Sequence, residues 1–285
     1  DAARPMEVED FRMGKPVPEM VNRIIGIPYM GDSSRSAVAA FRALGYESAV
    51  IPTHTERSLE FARKFVSTNT CRPFAFQVGD TLAWLHELRE QGVDPNREVA
   101  VFEPTARGPC RFGQYAVLLR KFFDRSGFTG VPIVSPDAEN DYSDFPISKR
   151  SLIELSKLVY RSNFCNELLL SGLLRTRPYE AKPGAAEEAY DALRDELYEL
   201  IESGGSTGDC VDLMGGARDR FSSVLNGHTD RKPLVVMNGE IFVRCHPSAN
   251  YDSIRLLEKY GLEVMLNSSC HWIEYVNSQY IHLNR

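Results

Sequence analysis

Short apolar runs alternate with helix-forming segments through the first half of the chain, and this alternation restricts the fold more than any other feature. The runs are typical of buried strands and lie at residues 24–30, 48–52, 98–103 and 131–135. Helical periodicity fills the intervals, at residues 33–44, 58–66, 81–91 and 115–125. Parallel strands are joined by right-handed crossovers, usually through a helix. The sequence therefore predicts an α/β fold on a doubly wound parallel sheet with helices on both faces.

The pattern changes at residue 148. Helical periodicity extends over residues 148–174, 187–202 and 210–225. A second α/β pattern follows, with a strand core within 233–243, a helix at 250–259 and a strand at 262–266. Two strands are fewer than the four to six of an ordinary sheet, so we expect a partial unit. The predicted organisation is an N-terminal extension at 1–22, a first α/β domain at 23–147, a helical segment at 148–228 and a partial second α/β unit at 229–285.

Composition excludes several classes of partner. The 285 residues include 33 basic and 39 acidic side chains, with a net charge of −6 and no basic cluster, so we expect no nucleic-acid partner. No apolar run approaches the roughly 20 residues that span a bilayer, and residues 1–18 lack the apolar region of a secretory signal. We therefore expect a cytoplasmic protein without a membrane partner. Because the chain does not begin with Met, we also expect a piece of a longer protein.

Six cysteines are the main candidates for metal chemistry. In a chain without a secretory signal they are expected to be reduced, and none of them forms a Cys-x-x-Cys pair. A self-contained zinc or ferredoxin motif is therefore absent from the sequence, and any metal site has to combine cysteines that are far apart. The six are Cys71, Cys110, Cys165, Cys210, Cys245 and Cys270.

Cys110 lies between a predicted strand and the following helix. Oriented amide groups at a helix start stabilise a thiolate, which is the form that binds metal, and Arg111 adds positive charge beside it. Gly108 and Gly113 let the backbone approach a bulky group, and free N–H groups there can bond to cluster sulfides. We predict a cofactor site at Gly108, Cys110, Arg111 and Gly113, with Cys110 as a metal ligand.

Cys71 repeats this arrangement, since it precedes a helix and is followed by Arg72. We predict that Cys71 is the second metal ligand. The alternative for each cysteine is a small buried hydrophobic residue. A catalytic thiol would need a neighbouring base, and the sequence does not bring His54 or His86 to either cysteine.

The remaining candidates receive other interpretations. We predict Cys165 and Cys210 as core residues of helices, and Trp272, Tyr275 and Tyr280 as packing residues. The pairs Cys245-His246 and Cys270-His271 leave a zinc site open as an alternative to exposed loops, although a zinc hydrolase is disfavoured without a ligand set at zinc spacing. Phosphate-loop, dinucleotide-binding and kinase motifs are absent from the sequence.

At these residues the sequence resembles the 2-hydroxyacyl-CoA dehydratase and double-cubane-cluster superfamily. The likeness is closest to the dehydratase-like C-terminal region of large CoA-substrate-specific enzyme activases, and it covers nearly the whole chain from about residue 24. Its most specific segment is Gly-Pro-Cys-Arg-Phe-Gly-Gln-Tyr at 108–115. Weaker segments follow the family's order: Cys71-Arg72-Pro73, Gly79-Asp80, Arg177-Pro178-Tyr179-Glu180, residues 238–244 and Trp272-Ile273-Glu274-Tyr275.

The resemblance implies two flavodoxin-like α/β units that flank a cleft, with an iron–sulfur cluster, [4Fe–4S] or double-cubane, held there by three cysteines. Cys71 and Cys110 match the first two. It also implies an anaerobic system in which an ATP-dependent activase domain or subunit supplies a low-potential electron, with an acyl-CoA as the substrate of a lyase or reductase.

The sequence departs from the family at the third cysteine, because no later Phe-Gly-Cys segment is present. The alternatives for the third ligand are Cys245, Cys270, a partner chain or no further ligand. The competing hypothesis is a non-catalytic α/β binding or scaffold domain that has lost its cluster.

Overall fold

The computed structural model describes residues 22–53, 55–66, 70–105, 110–136, 147–227 and 230–283. The predicted N-terminal extension therefore lies outside the described residues except for Asn22. The chain forms two compact units. The first contains the described residues within 1–30 and 37–157, and the second contains those within 31–36 and 158–285. Among the described residues, no helix is both long enough and apolar enough to cross a membrane.

A four-stranded parallel sheet organises the first unit. Its strands are β1 (Ile24–Ile27), β2 (Ser48–Val50), β3 (Val99–Phe102) and β4 (Ile133–Val134), in the order β2-β1-β3-β4. Gly26 lies opposite Ala49 on one side and Val101 on the other. β3 is buried along most of its length, as expected for a strand of a parallel sheet. The predicted α/β class with a parallel sheet is confirmed.

Helices occupy the connections between these strands. They are α1 (Asp32–Ala43), α2 (Glu56–Phe65), α3 (Arg72–Glu90), α4 (Pro95–Glu98) and α5 (Tyr115–Arg125). Thr55 caps α2 through a reciprocal capping box with Ser58, and the carboxylate of Asp94 accepts from the Asn96 amide at the start of α4. These caps satisfy amide groups that would otherwise lack partners at the helix starts.

The core of the first unit lies where α3 and α5 cover the sheet. Phe74, Val78, Leu82 and Leu85 project from α3 at helical spacing, and all are almost completely buried. They pack with Val99 and Val101 of β3, with Tyr115, Leu119 and Phe123 of α5, and with Ile51, Trp84, Phe128 and Val131. The spacing of these apolar residues fixes which face of each helix meets the sheet.

The second unit is mainly helical. Its helices are α6 (Lys149–Thr176), which begins in the first unit, α7 (Ala185–Glu202), α8 (Thr207–Ser223), α9 (Ile241–Cys245), α10 (Pro247–Asn250), α11 (Ser253–Lys259) and α12 (Ser269–Leu283). Strands β5 (Leu234–Met237) and β6 (Glu263–Leu266) form a two-stranded parallel sheet. Ala186, Tyr190, Leu193, Leu197 and Ile201 bury one face of α7.

The strand core predicted within 233–243 is β5, which ends at Met237 because Gly239 adopts a positive φ and the Glu240 carboxylate then accepts from the first amides of α9. One predicted helix is wrong in extent. The helix predicted at 81–91 begins nine residues earlier, at Arg72. Gly79 is required within that helix, because a β-carbon there would lie 2.3 Å from the Ser58 carbonyl oxygen of α2.

Candidate functional site

Cys71 lies at the N-cap of α3, as the sequence predicts. Its side chain is half-buried and makes no capping bond to the helix, and Pro73 occupies the first turn. The Tyr115 hydroxyl donates to Cys71 Sγ over 3.0 Å. The thiol is therefore held by a residue 44 positions away and still reaches the surface.

Cys110 lies at the N-cap of a single 3-10 turn, Arg111–Gln114, which leads directly into α5 at Tyr115. Its side chain is exposed, and its carbonyl accepts from the Gly113 amide over 3.4 Å. Arg111 is exposed on the same turn. Gly108 lies outside the described residues, so its predicted contribution stays a prediction.

Tyr115 connects the two cysteine loops. Tyr115 lies five positions after Cys110, where the 3-10 turn that Cys110 precedes leads into α5. The Tyr115 side chain in turn contacts Cys71 Sγ. The rings of Phe74 and Phe112 pack against Tyr115 with centroids 4.7 and 5.2 Å away, so apolar side chains surround the ring that joins the two loops.

The direction of α3 places Cys71 at the carboxyl edge of the sheet. Gln77 of α3 donates to the carboxylate of Glu103, which directly follows β3. Farther along α3, Trp84 lies against Gly26 in β1. The start of α3 is therefore on the side where the parallel strands end, and the loop from β3 to Cys110 begins on that side too. Ligands of open α/β sheets bind at this edge.

Glu103 is a buried carboxyl group at the same edge that sequence reasoning missed. Its side chain is fully buried, Gln77 donates to Oε2, and Oε1 has no hydrogen-bond partner within the described part of the chain. Burial raises the pKa of Glu103 well above its ordinary value, because the ionised form loses its hydration. Glu103 therefore favours the neutral acid. The sequence feature that could have indicated Glu103 is an acidic residue at the end of an apolar strand.

The donor set at Cys71 and Cys110 fits part of an iron–sulfur site. Thiolates are the ordinary ligands of such clusters, and four cysteines is the usual number. No group of three or more His, Cys, Asp or Glu side chains that could hold a metal ion occurs among the described residues. The two thiols can therefore supply two ligands, and the described residues beside them do not complete the set.

The cysteines considered as further ligands lie in the second unit. Cys245 is the last residue of α9 and Cys270 is the second residue of α12, and burial raises the pKa of each thiol to about 11. Cys270 and His246 are buried, so the exposed-loop interpretation of the two Cys-His pairs is wrong for these residues. His246 Nδ1 accepts from the Ala249 amide and serves as a helix cap. The alternative zinc site is not assembled in the part of the chain that the structure describes.

The predicted core and packing residues have mixed outcomes. Cys165 and Cys210 are buried in helices, which confirms the prediction for both. Tyr275 is 61% exposed, so its prediction as a packing residue is wrong. The side chains of Trp272 and Tyr280 lie outside the described part of α12.

Comparison with known proteins adds no relative. No protein family, curated protein or solved structure matches the chain.

Proposed function

We propose that the first unit is an iron–sulfur module of a 2-hydroxyacyl-CoA dehydratase-like system, with Cys71 and Cys110 as two of the cluster ligands. Its role is low-potential electron transfer or reductive chemistry, driven by an ATP-dependent activase domain or subunit, with an acyl-CoA as substrate. The proposed fold of this unit is a doubly wound, flavodoxin-like sheet. The strand order β2-β1-β3-β4 supports it, because flavodoxin-like folds share this order over their first four strands.

The observation that carries the proposal is the placement of the two thiols. Cys71 and Cys110 each precede a helical element, at neighbouring loops joined through Tyr115. One thiol is half-buried and the other exposed, so both are accessible to a group bound from outside. In contrast, Cys165, Cys210 and Cys270 are buried, and Cys245 is half-buried in the second unit. Cys110 is the one exposed thiol of the six, and Cys71 is linked to its loop through Tyr115.

The surroundings of Cys71 suit a cluster that accepts an electron. A hydrogen bond to a ligand sulfur stabilises the reduced cluster, since reduction adds negative charge, and the Tyr115 hydroxyl supplies such a bond. Arg72 and Arg111 place positive charge next to each thiol in the chain. The remaining ligands come from outside the described residues or from another chain.

A second candidate is an α/β binding or scaffold domain that has lost its cluster. The observation that favours it is the lack of a third ligand beside Cys71 and Cys110 within the described residues. The two proposals differ in one property, since only the first requires the folded chain to bind iron and sulfide.

Anaerobic reconstitution separates the two candidates. The chain is incubated with ferrous iron and sulfide, desalted, and titrated with Ti(III) citrate while visible absorbance and electron paramagnetic resonance are recorded. We expect a brown protein whose charge-transfer absorbance bleaches on reduction. Tyr115→Phe removes the hydrogen bond to Cys71 and should lower the reduction potential while iron stays bound. A folded protein that stays colourless would support the scaffold and overturn the cluster proposal.

A further inference from the structure

A positive charge without a counter-charge is buried in the second unit, at Arg244 of α9. The side chain is 5% exposed, and Nη1 donates to the Gly239 carbonyl over 2.9 Å. Nε is buried and has no hydrogen-bond partner, and the guanidinium forms no ion pair with any residue that the structure describes. A buried charge loses its hydration, so proteins almost always pair such a group. Arg177 of the same unit is paired in this way, with Glu187 and Glu258.

The residues next to Arg244 in the chain do not supply the missing negative charge. Glu240 lies one helical turn earlier, and its carboxylate accepts from the Phe242 and Val243 amides instead of pairing with Arg244. Cys245 follows Arg244, and burial raises the pKa of its thiol to about 11, so this thiol is neutral at pH 7. The described residues therefore leave the charge of Arg244 uncompensated.

The guanidinium of Arg244 lies at the carboxyl edge of the β5-β6 sheet. Gly239, which accepts its hydrogen bond, lies two residues after the end of β5. Asn267 directly follows β6 and donates to the Asn238 side chain over 3.1 Å, so the two strand ends meet at this loop. Asn238 and Gly239 are exposed, and a β-carbon on Gly239 would meet no atom of the described chain within 4 Å. Ligands of open α/β sheets bind at this edge, and the loop leaves space for one.

We propose that Arg244 binds the oxyanion of a small-molecule ligand, a carboxylate or phosphate group, at the carboxyl edge of the β5-β6 sheet. Nε–H and Nη2 lie along one edge of the planar guanidinium, and such an edge binds two oxygens of a carboxylate or phosphate in parallel. Nη1 lies on the other edge and holds the guanidinium to Gly239. The rest of the ligand occupies the open space over residues 238–240. This site is independent of the cluster proposed at Cys71 and Cys110.

Anion binding to the full chain tests this proposal. Malonate is the probe for a carboxylate and inorganic phosphate is the probe for a phosphate, and sodium chloride keeps the ionic strength equal in every sample. The melting temperature is recorded by circular dichroism against anion concentration, and isothermal titration calorimetry gives the Kd. We expect a saturable rise of the melting temperature with at least one of the two anions, because a ligand that binds only the folded chain stabilises it. The anion with the lower Kd identifies the class of ligand.

Variants connect this binding to the guanidinium. Arg244→Lys keeps the charge but loses the paired N–H groups, so the Kd should rise about tenfold or more. Arg244→Met should abolish saturable binding. Arg218→Met is the matched control, because Arg218 is exposed on α8, and it should leave the Kd unchanged.

Two results would overturn the assignment of an oxyanion site to Arg244. The first is a wild-type chain whose melting temperature shows no saturable rise with malonate or with phosphate. The second is a Kd that is the same for wild type and Arg244→Lys, because the bound anion would then lie elsewhere on the chain. Arg244→Lys decides the matter even if Arg244→Met does not fold.

Discussion

Replacing Glu103 by glutamine should remove a pH dependence from the stability of the first unit. The native pKa of Glu103 is raised by burial, so between the unfolded pKa and this native pKa the folded chain holds a proton that the unfolded chain has lost. Stability from this group is complete below the unfolded pKa, near about 4.3, and declines as the pH rises through the native value. The Glu103→Gln variant lacks the titrating proton.

The expected magnitude of this pH dependence follows from a difference of one bound proton between the folded and unfolded chain. Within that pH window, a difference of one bound proton changes the free energy of unfolding by at most about 1.4 kcal/mol per pH unit. Stability of the Glu103→Gln variant relative to wild type should therefore increase by up to this amount per unit. Other titrating groups are common to both proteins and cancel in the difference. Replacing the carboxyl group, whose Oε1 is unpaired, by an amide also changes stability by an amount that is the same at every pH. This change does not alter the slope of the stability difference against pH.

Urea denaturation at several pH values from 4.5 upwards measures this slope. Trp84 is buried in the first unit, and one other tryptophan is present, so a Trp272→Phe background makes the emission report the first unit. Glu60→Gln is the matched control, because Glu60 is exposed on α2. Parallel stability curves for wild type and Glu103→Gln over this range would refute the assignment of a neutral buried acid.

Other substitutions test the packing of both units and a buried ion pair of the second. Gly26→Ala should lower the free energy of unfolding that Trp84 emission reports by about 1–3 kcal/mol, because the new β-carbon would lie 2.4 Å from the Trp84 ring. Gly215→Ala, in open space on α8, should stabilise the second unit by about 1 kcal/mol. Arg177→Met should cost up to about 3–5 kcal/mol by circular dichroism, because Glu258, whose side chain is 10% exposed, loses its partner at 2.8 Å and keeps only the Arg255 guanidinium at 3.9 Å. Adding Glu258→Met should restore most of the loss.

Local periodicity predicted the bounds of helices whose buried residues recur at regular spacing within their own sequence. The helix predicted at 115–125 has the bounds of α5, since Tyr115, Leu119 and Phe123 repeat every four residues on the buried face. The first half of α3 carries Phe74 and Val78 at the same spacing, but buried polar residues share this part of the helix and obscure the apolar pattern. Its buried polar residues Gln77 and Asp80 satisfy their hydrogen bonds with Glu103 and Thr53, each about 26 positions away. A local pattern contains no information about such partners.

The candidate site also combines residues that local sequence reveals with contacts that it does not. Cys71 and Cys110 were selected from their own loops, because a cysteine before a helix start is visible in local sequence. The contact of Tyr115 with Cys71 spans 44 positions, and the burial of Glu103 depends on α3 closing over the end of β3. Neither could be predicted before the topology was known.

Iron and acid-labile sulfide bound per chain, measured after anaerobic purification and reconstitution, test the central claim most directly. Wild type and a Cys165→Ser, Cys210→Ser double variant should bind iron and sulfide alike, since those buried thiols are not proposed ligands. A Cys71→Ser, Cys110→Ser double variant should lose both. Full retention of iron by the folded Cys71→Ser, Cys110→Ser protein, or no iron in wild type, would contradict the assignment of Cys71 and Cys110 as cluster ligands.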